Sequence, residues 1–162
     1  MPDGKSKDDK IKGAKTAFDV KGLTPKTPGY QSDGHGTITS LVGKTEIKGT
    51  IRIQTVYGPK ATPGMSSGYG RGTTAEDVKN GNTSLGFHES CHREDFLTYF
   101  SKNPLPTFKG KVGMKRADFD AAANRFIKEV RDYFTRAEKD SLDRTDEVGY
   151  TLSEYRAKGP RR

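Results

Sequence analysis

The feature that most constrains the fold is an apolar stripe in the last third of the chain. Between about residues 116 and 141, large apolar and alanine side chains recur at spacings of three and four. They are Phe119, Ala122, Ala123, Phe126, Val130, Tyr133, Phe134 and Ala137. Because an α-helix has 3.6 residues per turn, this spacing predicts a long helix with one face packed on a core.

A period of two residues precedes this helix. In residues 46–57 apolar side chains alternate with polar ones, which is typical of a half-buried strand in an antiparallel sheet. The apolar members are Ile47, Ile51, Ile53 and Tyr57. Shorter alternating segments at 16–20 and 37–42 predict two more strands. Strands followed by helices favour an α+β fold with a small antiparallel sheet.

A further helix is expected between the strands and the apolar stripe. Asn82 or Thr83 can cap its start, and Asn103 followed by Pro104 predicts its end near Lys102. The preceding segment, residues 58–72, holds five glycines and two prolines and is therefore predicted to be a loop.

The chain length of 162 residues is sufficient for one domain with a core. Residues 1–15 are poor in apolar side chains and predict a disordered tail or linker. We place the domain at 16–156 and a basic tail at 157–162. The chain has no apolar run long enough to span a membrane and no signal peptide pattern at its start.

The net charge of +8 raises the question of nucleic-acid binding. Residues 1–26 hold seven lysines and four aspartates, and residues 154–162 hold four basic residues and one acidic residue. Both ends are thus strongly basic, and we interpret the charge as solvated tails rather than a nucleic-acid surface. The single cysteine, Cys91, excludes an internal disulfide.

The candidate metal ligands and general base lie in residues 88–92, His-Glu-Ser-Cys-His. Residues four apart lie on one face of a helix, so His88 and His92 can direct ring nitrogens at one Zn²⁺ ion. Glu89 would stand beside the metal, where it can act as general base for a zinc-bound water. Cys91 points about 100° away along the helix and is expected to be a small buried hydrophobe.

A catalytic zinc site needs a third protein ligand and one open position. His35 lies in a predicted loop and no histidine follows His92, which favours a carboxylate. Asp146 is the first candidate, with Glu147 second and Glu138 third. Nearby Tyr150 is either a donor to the oxyanion of a tetrahedral intermediate or a packing residue.

The five-residue motif matches the HExxH pattern of the zincin metallopeptidases. The segment Thr145-Asp146-Glu147-Val148-Gly149-Tyr150 is similar to the Thr-x-Asp-x-x-Tyr segment of the aspzincins. That resemblance implies an Asp as third ligand and a Tyr that assists catalysis. Here the tyrosine follows Asp146 by four positions instead of three, which leaves Asp146 and Glu147 both open.

The β-rich half followed by Leu85-Gly86-Phe87 and the motif helix also resembles the metallopeptidase domains at the C-termini of type VI secretion spike proteins and related toxins. In those domains a Glu is the third ligand, which favours Glu147 or Glu138. The resemblance implies a secreted effector or toxin, delivered into a target cell or periplasm, that cleaves a protein or peptide. A secretion-system carrier or a cognate immunity protein would then be its partner.

Two alternatives belong to other functional classes. One is a non-catalytic zinc-binding or interaction domain of a secretion system. The other is a basic toxin that acts on nucleic acid. Under the peptidase interpretation, the glycine-rich segment at 57–72 is expected to form the rim of the substrate cleft.

Overall fold

The computed structural model describes residues 3–8 and 10–160. Its strands are β1 (Gly4–Lys5), β2 (Ala14–Lys26), β3 (Gly29–Ser32), β4 (Ile38–Val42) and β5 (Glu46–Tyr57). Its helices are α1 (Ala75–Lys79), α2 (Leu85–Lys102), α3 (Arg116–Ser141) and α4 (Leu152–Lys158), and a π-helical turn (Leu142–Asp146) directly follows α3. The predicted α+β class, with small sheets and a long helix in the last third, is confirmed at this level.

Three strands form one sheet in the order β1-β5-β2. β1 is parallel to β5, with Gly4 opposite Val56. β2 is antiparallel to β5, because Gly58 N–H donates to the carbonyl of Gly13 while Thr16 faces Thr55. The sheet is therefore mixed, and the expectation of a purely antiparallel sheet was wrong for β1.

The segment predicted to be a disordered tail contains β1 and the first two residues of β2. Two backbone bonds account for part of this order. Ser6 N–H donates to the carbonyl of Tyr57, and Gly58 N–H donates to that of Gly13. These bonds come from a partner strand far along the sequence, which composition alone does not reveal. At the other end, α4 extends to Lys158, inside the segment expected to be a basic tail.

The described chain forms two compact units, and the expected domain bounds of 16–156 stay a prediction. The first comprises the described parts of residues 1–19, 52–103 and 137–162, and the second comprises residues 20–51 and 104–136. The long elements β2, β5 and α3 each contribute residues to both units.

The first unit packs its strands on α2. Phe18 of β2 contacts Phe96 and Phe100 edge-on, with ring centroids 5.0 and 5.2 Å apart. Thr16 donates a hydrogen bond to the carbonyl of Glu89, which joins the strand to the middle of the helix. These contacts determine where α2 packs on the strands.

Helices α1 and α2 begin at side-chain caps. The hydroxyl of Ser84 accepts the backbone N–H of Phe87, so α2 is capped one residue after Thr83, the nearer of the two predicted caps, and ends at Lys102 as expected. Thr74 caps α1 in the same way by accepting from Asp77.

The second unit is built on the first part of the apolar stripe. Phe119, Phe126 and Val130 are at most 2% exposed. Tyr30 of β3 and Phe108 contact Phe119 edge-on, at 4.8 and 5.2 Å between centroids. β3 pairs antiparallel with β4, so residues 29–42 form a hairpin.

Most of the net positive charge lies in this second unit. Residues 20–51 and 104–136 contain twelve of the 29 Lys and Arg residues but only six of the 21 Asp and Glu residues. Lys21 and Lys26 belong both to this unit and to the basic N-terminal segment, and the interpretation of the charge as solvated tails stays a prediction. Among the described residues, no helix is both long and apolar enough to cross a membrane.

Candidate metal centre

Helix α2 presents three motif residues in the interior of the first unit. His88, Glu89 and His92 are 2%, 3% and 7% exposed. The rings of the two histidines meet edge-on, with centroids 5.0 Å apart. Their spacing of four residues therefore has the effect expected on a helix, because both rings lie on one face.

Asp146, the last residue of the π-helical turn, meets both rings. Its Oδ1 atom lies 3.2 Å from Nε2 of His88 and 2.9 Å from Nε2 of His92. The carboxylate is buried, with the residue 5% exposed. The wider turn after α3 thus brings a carboxylate to the ring nitrogens that face away from the helix axis.

These three residues can hold a metal ion. One donor atom from each of His88, His92 and Asp146 lies within 4.8 Å of the other two. Tetrahedral zinc with bonds of 2.0–2.1 Å requires donors about 3.3 Å apart, close to the two separations measured from Asp146. Two imidazoles and one carboxylate also form a donor set that zinc accepts.

Proximity to the histidines shifts the ionisation of Asp146. Burial raises the pKa of its carboxyl, but the hydrogen bonds with His88 and His92 outweigh burial and bring the pKa to about 2. For His88, burial lowers the pKa, while the hydrogen bonds with Asp146 and the Arg71 carbonyl and the charge of Glu89 give a net rise. The centre therefore favours an ionised Asp146.

The second ring nitrogen of His88 is held by the backbone. Its Nδ1 atom lies 3.0 Å from the carbonyl oxygen of Arg71. A carbonyl oxygen only accepts, so Nδ1 must carry a proton, and Nε2 is the ring nitrogen that can give its lone pair to a metal when the ring is neutral. This is the tautomer that a metal ligand requires.

The loop that supplies this carbonyl is fixed on both sides. Gly70 has φ +65°, and a Cβ atom there would lie 2.1 Å from the carbonyl oxygen of Thr145. Arg71 N–H donates to that same oxygen at 2.7 Å. The side chain of Arg71 in turn forms two hydrogen bonds of 2.9 Å with the buried Asp77.

A chain of side chains supports His92. Its Nδ1 atom lies 2.8 Å from the hydroxyl of Ser141, which donates to Asp95 at 3.4 Å, and Thr145 donates to the same Asp95 oxygen at 2.8 Å. Since the Ser141 proton is directed to Asp95, the His92 Nδ1 atom is the donor to Ser141. Nε2 of His92, which faces Asp146, is then the ring nitrogen that can bind a metal.

The side chain of Glu89 is buried, with one carboxylate oxygen unpaired within the described chain. Its Oε2 atom is buried and has no hydrogen-bond partner among residues 3–8 and 10–160. Because a buried unpaired polar atom costs free energy, such an atom in a functional protein calls for a ligand or a water. This observation fits the position expected for a general base.

A cavity of ≈ 470 Å³ opens beside the centre. It is lined by residues from β2, α2, α3, α4, the π-helical turn and the loop before α1. These are Ala14, Lys15, Thr16, Ala17, Tyr69, His88, Glu89, His92, Phe96, Glu138, Ser141, Leu142, Asp146, Leu152 and Arg156. The size falls in the range of ligand-binding pockets. From the glycine-rich segment expected at the rim, only Tyr69 lines it.

The other predicted site residues lie elsewhere. Glu147 is exposed and accepts a hydrogen bond from Ser153 at 3.0 Å, so the structure does not bring it to the histidines. Glu138 lines the cavity without joining the group of three donors. His35 is exposed in a turn of the second unit, as expected for a loop residue.

Tyr150 is buried, but its hydroxyl is directed away from the cavity wall. It donates to the carbonyl oxygen of Gly159 at 2.6 Å, and Tyr150 is absent from the residues that line the cavity. This placement supports the packing alternative for Tyr150 over the oxyanion-binding one.

Sequence inspection missed several residues of the site. Tyr69 contacts His88 edge-on with centroids 5.2 Å apart, and Arg71, Asp95 and Ser141 hold the ligands in place. None of them has a fixed spacing from the motif that would identify it. Cys91 is buried as expected, and burial raises the pKa of its thiol to about 11.

No protein-family model, curated protein or solved structure matches the chain.

Proposed function

We propose that this protein is a zinc-dependent metallopeptidase of the zincin type. His88, His92 and Asp146 would bind the ion. The observation that carries the proposal is the unpartnered Oε2 of Glu89, buried next to three converging metal donors on an open cavity. A purely structural zinc site has no need of such an acid.

A zinc ion at this centre would act as a Lewis acid and make water acidic enough to lose a proton near neutral pH. Glu89 is the one buried carboxylate of the cavity that is not itself a metal donor. It would take the proton of the attacking water at Oε2 and pass it to the amine that leaves.

The openness of the centre separates a catalytic site from a structural one. A structural zinc is closed by four protein ligands, whereas the described residues supply three. The fourth side would remain accessible from the cavity, so that substrate and water can reach the reacting position.

Tyr69 is the best-placed hydroxyl to bind the developing oxyanion. Among the described residues its hydroxyl has no hydrogen-bond partner, and its ring lines the cavity against His88. Burial and the charges of Asp146 and Glu89 raise its pKa to about 12, so it remains a proton donor at all working pH values. In this proposal it takes the role for which the sequence had offered Tyr150 as one of two alternatives.

The decisive experiment combines metal analysis with one matched pair of variants. The purified chain should contain one zinc per molecule and cleave a denatured protein substrate, with products identified by mass spectrometry. Glu89→Gln should keep the zinc and lose about 100-fold or more of the activity. Glu94→Gln, an exposed change on the same helix, should keep both.

Three results would contradict the proposal. One is a chain that binds no zinc. The second is a zinc-loaded chain that cleaves no peptide bond. The third is a Glu89→Gln variant as active as the wild type.

A further inference from the structure

Three charged side chains line the cavity besides Glu89 and Asp146. They are Lys15 on β2, Glu138 on α3 and Arg156 on α4, and all three are exposed. None of them forms an ion pair or a hydrogen bond with another described residue. By contrast, nearby Arg144 is paired four residues away with Asp140 at 2.9 Å. The charges of the cavity are thus left available to a ligand.

Arg156 has the clearest link to the reacting centre. It lines the same cavity as Tyr69, whose ring contacts the metal donor His88. Tyr155, its neighbour on α4, contacts Tyr69 with centroids 5.3 Å apart. Arg156 is therefore carried by the helix whose Tyr155 packs on Tyr69, the side chain that would bind the oxyanion in the proposed mechanism.

Helix α4 is anchored at both ends, which gives Arg156 a defined position. Thr151 and Glu154 form a capping box at its start. At its end, Gly159 N–H donates to the carbonyl of Tyr155, while the Tyr150 hydroxyl donates to the carbonyl of Gly159. The packing role of Tyr150 thus serves the placement of this helix.

Resting on the proposed peptidase function, we propose that the site selects substrates that carry a carboxylate beside the scissile bond, bound by Arg156. A guanidinium binds a carboxylate through two parallel hydrogen bonds, which an amide of the same shape cannot reproduce. Lys15 adds a second positive charge on the cavity wall. The carboxylate belongs either to an Asp or Glu side chain of the substrate or to its C-terminus.

Matched peptides distinguish these two sources. The zinc-loaded chain is given decapeptides that differ only at one central residue, Glu against Gln or Asp against Asn, each as a free C-terminal acid and as an amide. We expect kcat/KM to be about tenfold higher for the peptide with the carboxylate. A difference between Glu and Gln or between Asp and Asn peptides identifies the side chain as its source, and a difference between free acids and amides identifies the C-terminus. Equal values across all pairs would overturn the inference while leaving the peptidase proposal intact.

Variants assign the preference to Arg156. Arg156→Gln should remove most of the difference between acid and amide peptides, by lowering only the value for the acid. Arg156→Lys should restore part of it, since a charge remains without the planar fork. Lys158→Gln, on the same helix but outside the cavity lining, should leave the preference as in the wild type. A preference that survives Arg156→Gln would also overturn the inference.

A binding measurement keeps the inference testable if no peptide is cleaved. The Glu89→Gln chain is titrated with fluorescein-labelled Glu and Gln decapeptide amides and their free acids, with and without Arg156→Gln. Tighter binding of the carboxylate that disappears with Arg156→Gln would support carboxylate recognition although the peptidase proposal had failed. Equal binding of acid and amide peptides, with no cleavage, would overturn both.

Discussion

Oδ1 of Asp146 lies 2.9 Å from Nε2 of His92, although 54 residues separate them in the chain. The contact depends on how α3 ends. Its last turn widens into the π-helical turn at Leu142–Asp146, which places Asp146 inside and Glu147 outside. A one-residue change in the helical register at this point would exchange the two carboxylates.

Asp146 and Glu147 are therefore expected to differ sharply in their contribution to metal binding. Asp146→Asn removes a charged donor from the group of three, and we expect zinc affinity to fall by more than about 100-fold. Glu147→Gln, its matched neighbour, should bind zinc as the wild type does. Competition with a chromogenic chelator measures both constants. If Glu147→Gln weakened zinc binding and Asp146→Asn did not, the third ligand would be Glu147 and our assignment of Asp146 would be wrong.

The hydroxyl of Ser141 should contribute to affinity without touching the metal. Ser141→Ala breaks the connection from His92 to Asp95, so the ring loses its fixed tautomer and orientation, and zinc affinity should fall by about 10- to 100-fold. Ser90→Ala is the control, because this exposed motif residue donates only to the carbonyl of Phe87. The d–d absorption of a cobalt-substituted protein should change for the Ser141 variant alone. Unchanged affinity and spectrum would remove Ser141 from the site.

Much of the local structure follows from sequence periodicity. The stripe from Phe119 to Ala137 predicts α3 because a solvated helix needs one apolar face, and the alternation before Tyr57 predicts β5 for the equivalent reason in a strand. Likewise the i, i+4 spacing of His88 and His92 fixes their common face. These features depend on residues that are close in sequence.

The other features of the fold and of the site depend on contacts between residues that are distant in the sequence. Strand β1 forms because β5 offers it hydrogen bonds, and Tyr69 reaches His88 because Gly70 adopts a left-handed conformation against Thr145. The sequence around Asp146 contains two adjacent carboxylates, and only the path of the chain after α3 separates them. No local pattern encodes such information.

Asp77 should stabilise the fold in a pH-dependent way. Its hydrogen bonds with Arg71 outweigh burial and hold its pKa well below the usual range. A depressed pKa in the folded state contributes stability above the unfolded value, about pH 4, and this is lost as pH falls toward the folded value. With Arg71 partly exposed, Asp77→Asn should cost about 2 kcal/mol at pH 7.

Urea unfolding at pH 7 and pH 3 tests the direction of this pH dependence. The stability difference between wild type and Asp77→Asn should shrink at pH 3, because only the wild type loses stability by protonation of its unfolded state. Asp120→Asn, at an exposed position on α3, provides the comparison. A difference that grew on acidification would show that the Asp77 pKa is raised and not lowered.

The last prediction separates Tyr69, which the sequence did not single out, from Tyr150, which it did. Tyr69→Phe keeps the ring against His88 but removes the unpartnered hydroxyl, so kcat should fall by about 100-fold with zinc affinity and stability unchanged. Tyr150→Phe removes the donor to Gly159 and should cost about 1 kcal/mol of stability, with little change in kcat for the folded enzyme. Activity assays give kcat, and urea unfolding gives the free energy of unfolding, for each of the two variants. If kcat fell with Tyr150→Phe and not with Tyr69→Phe, the oxyanion donor would be the residue that the aspzincin resemblance implied, and α4 would have to move to release it.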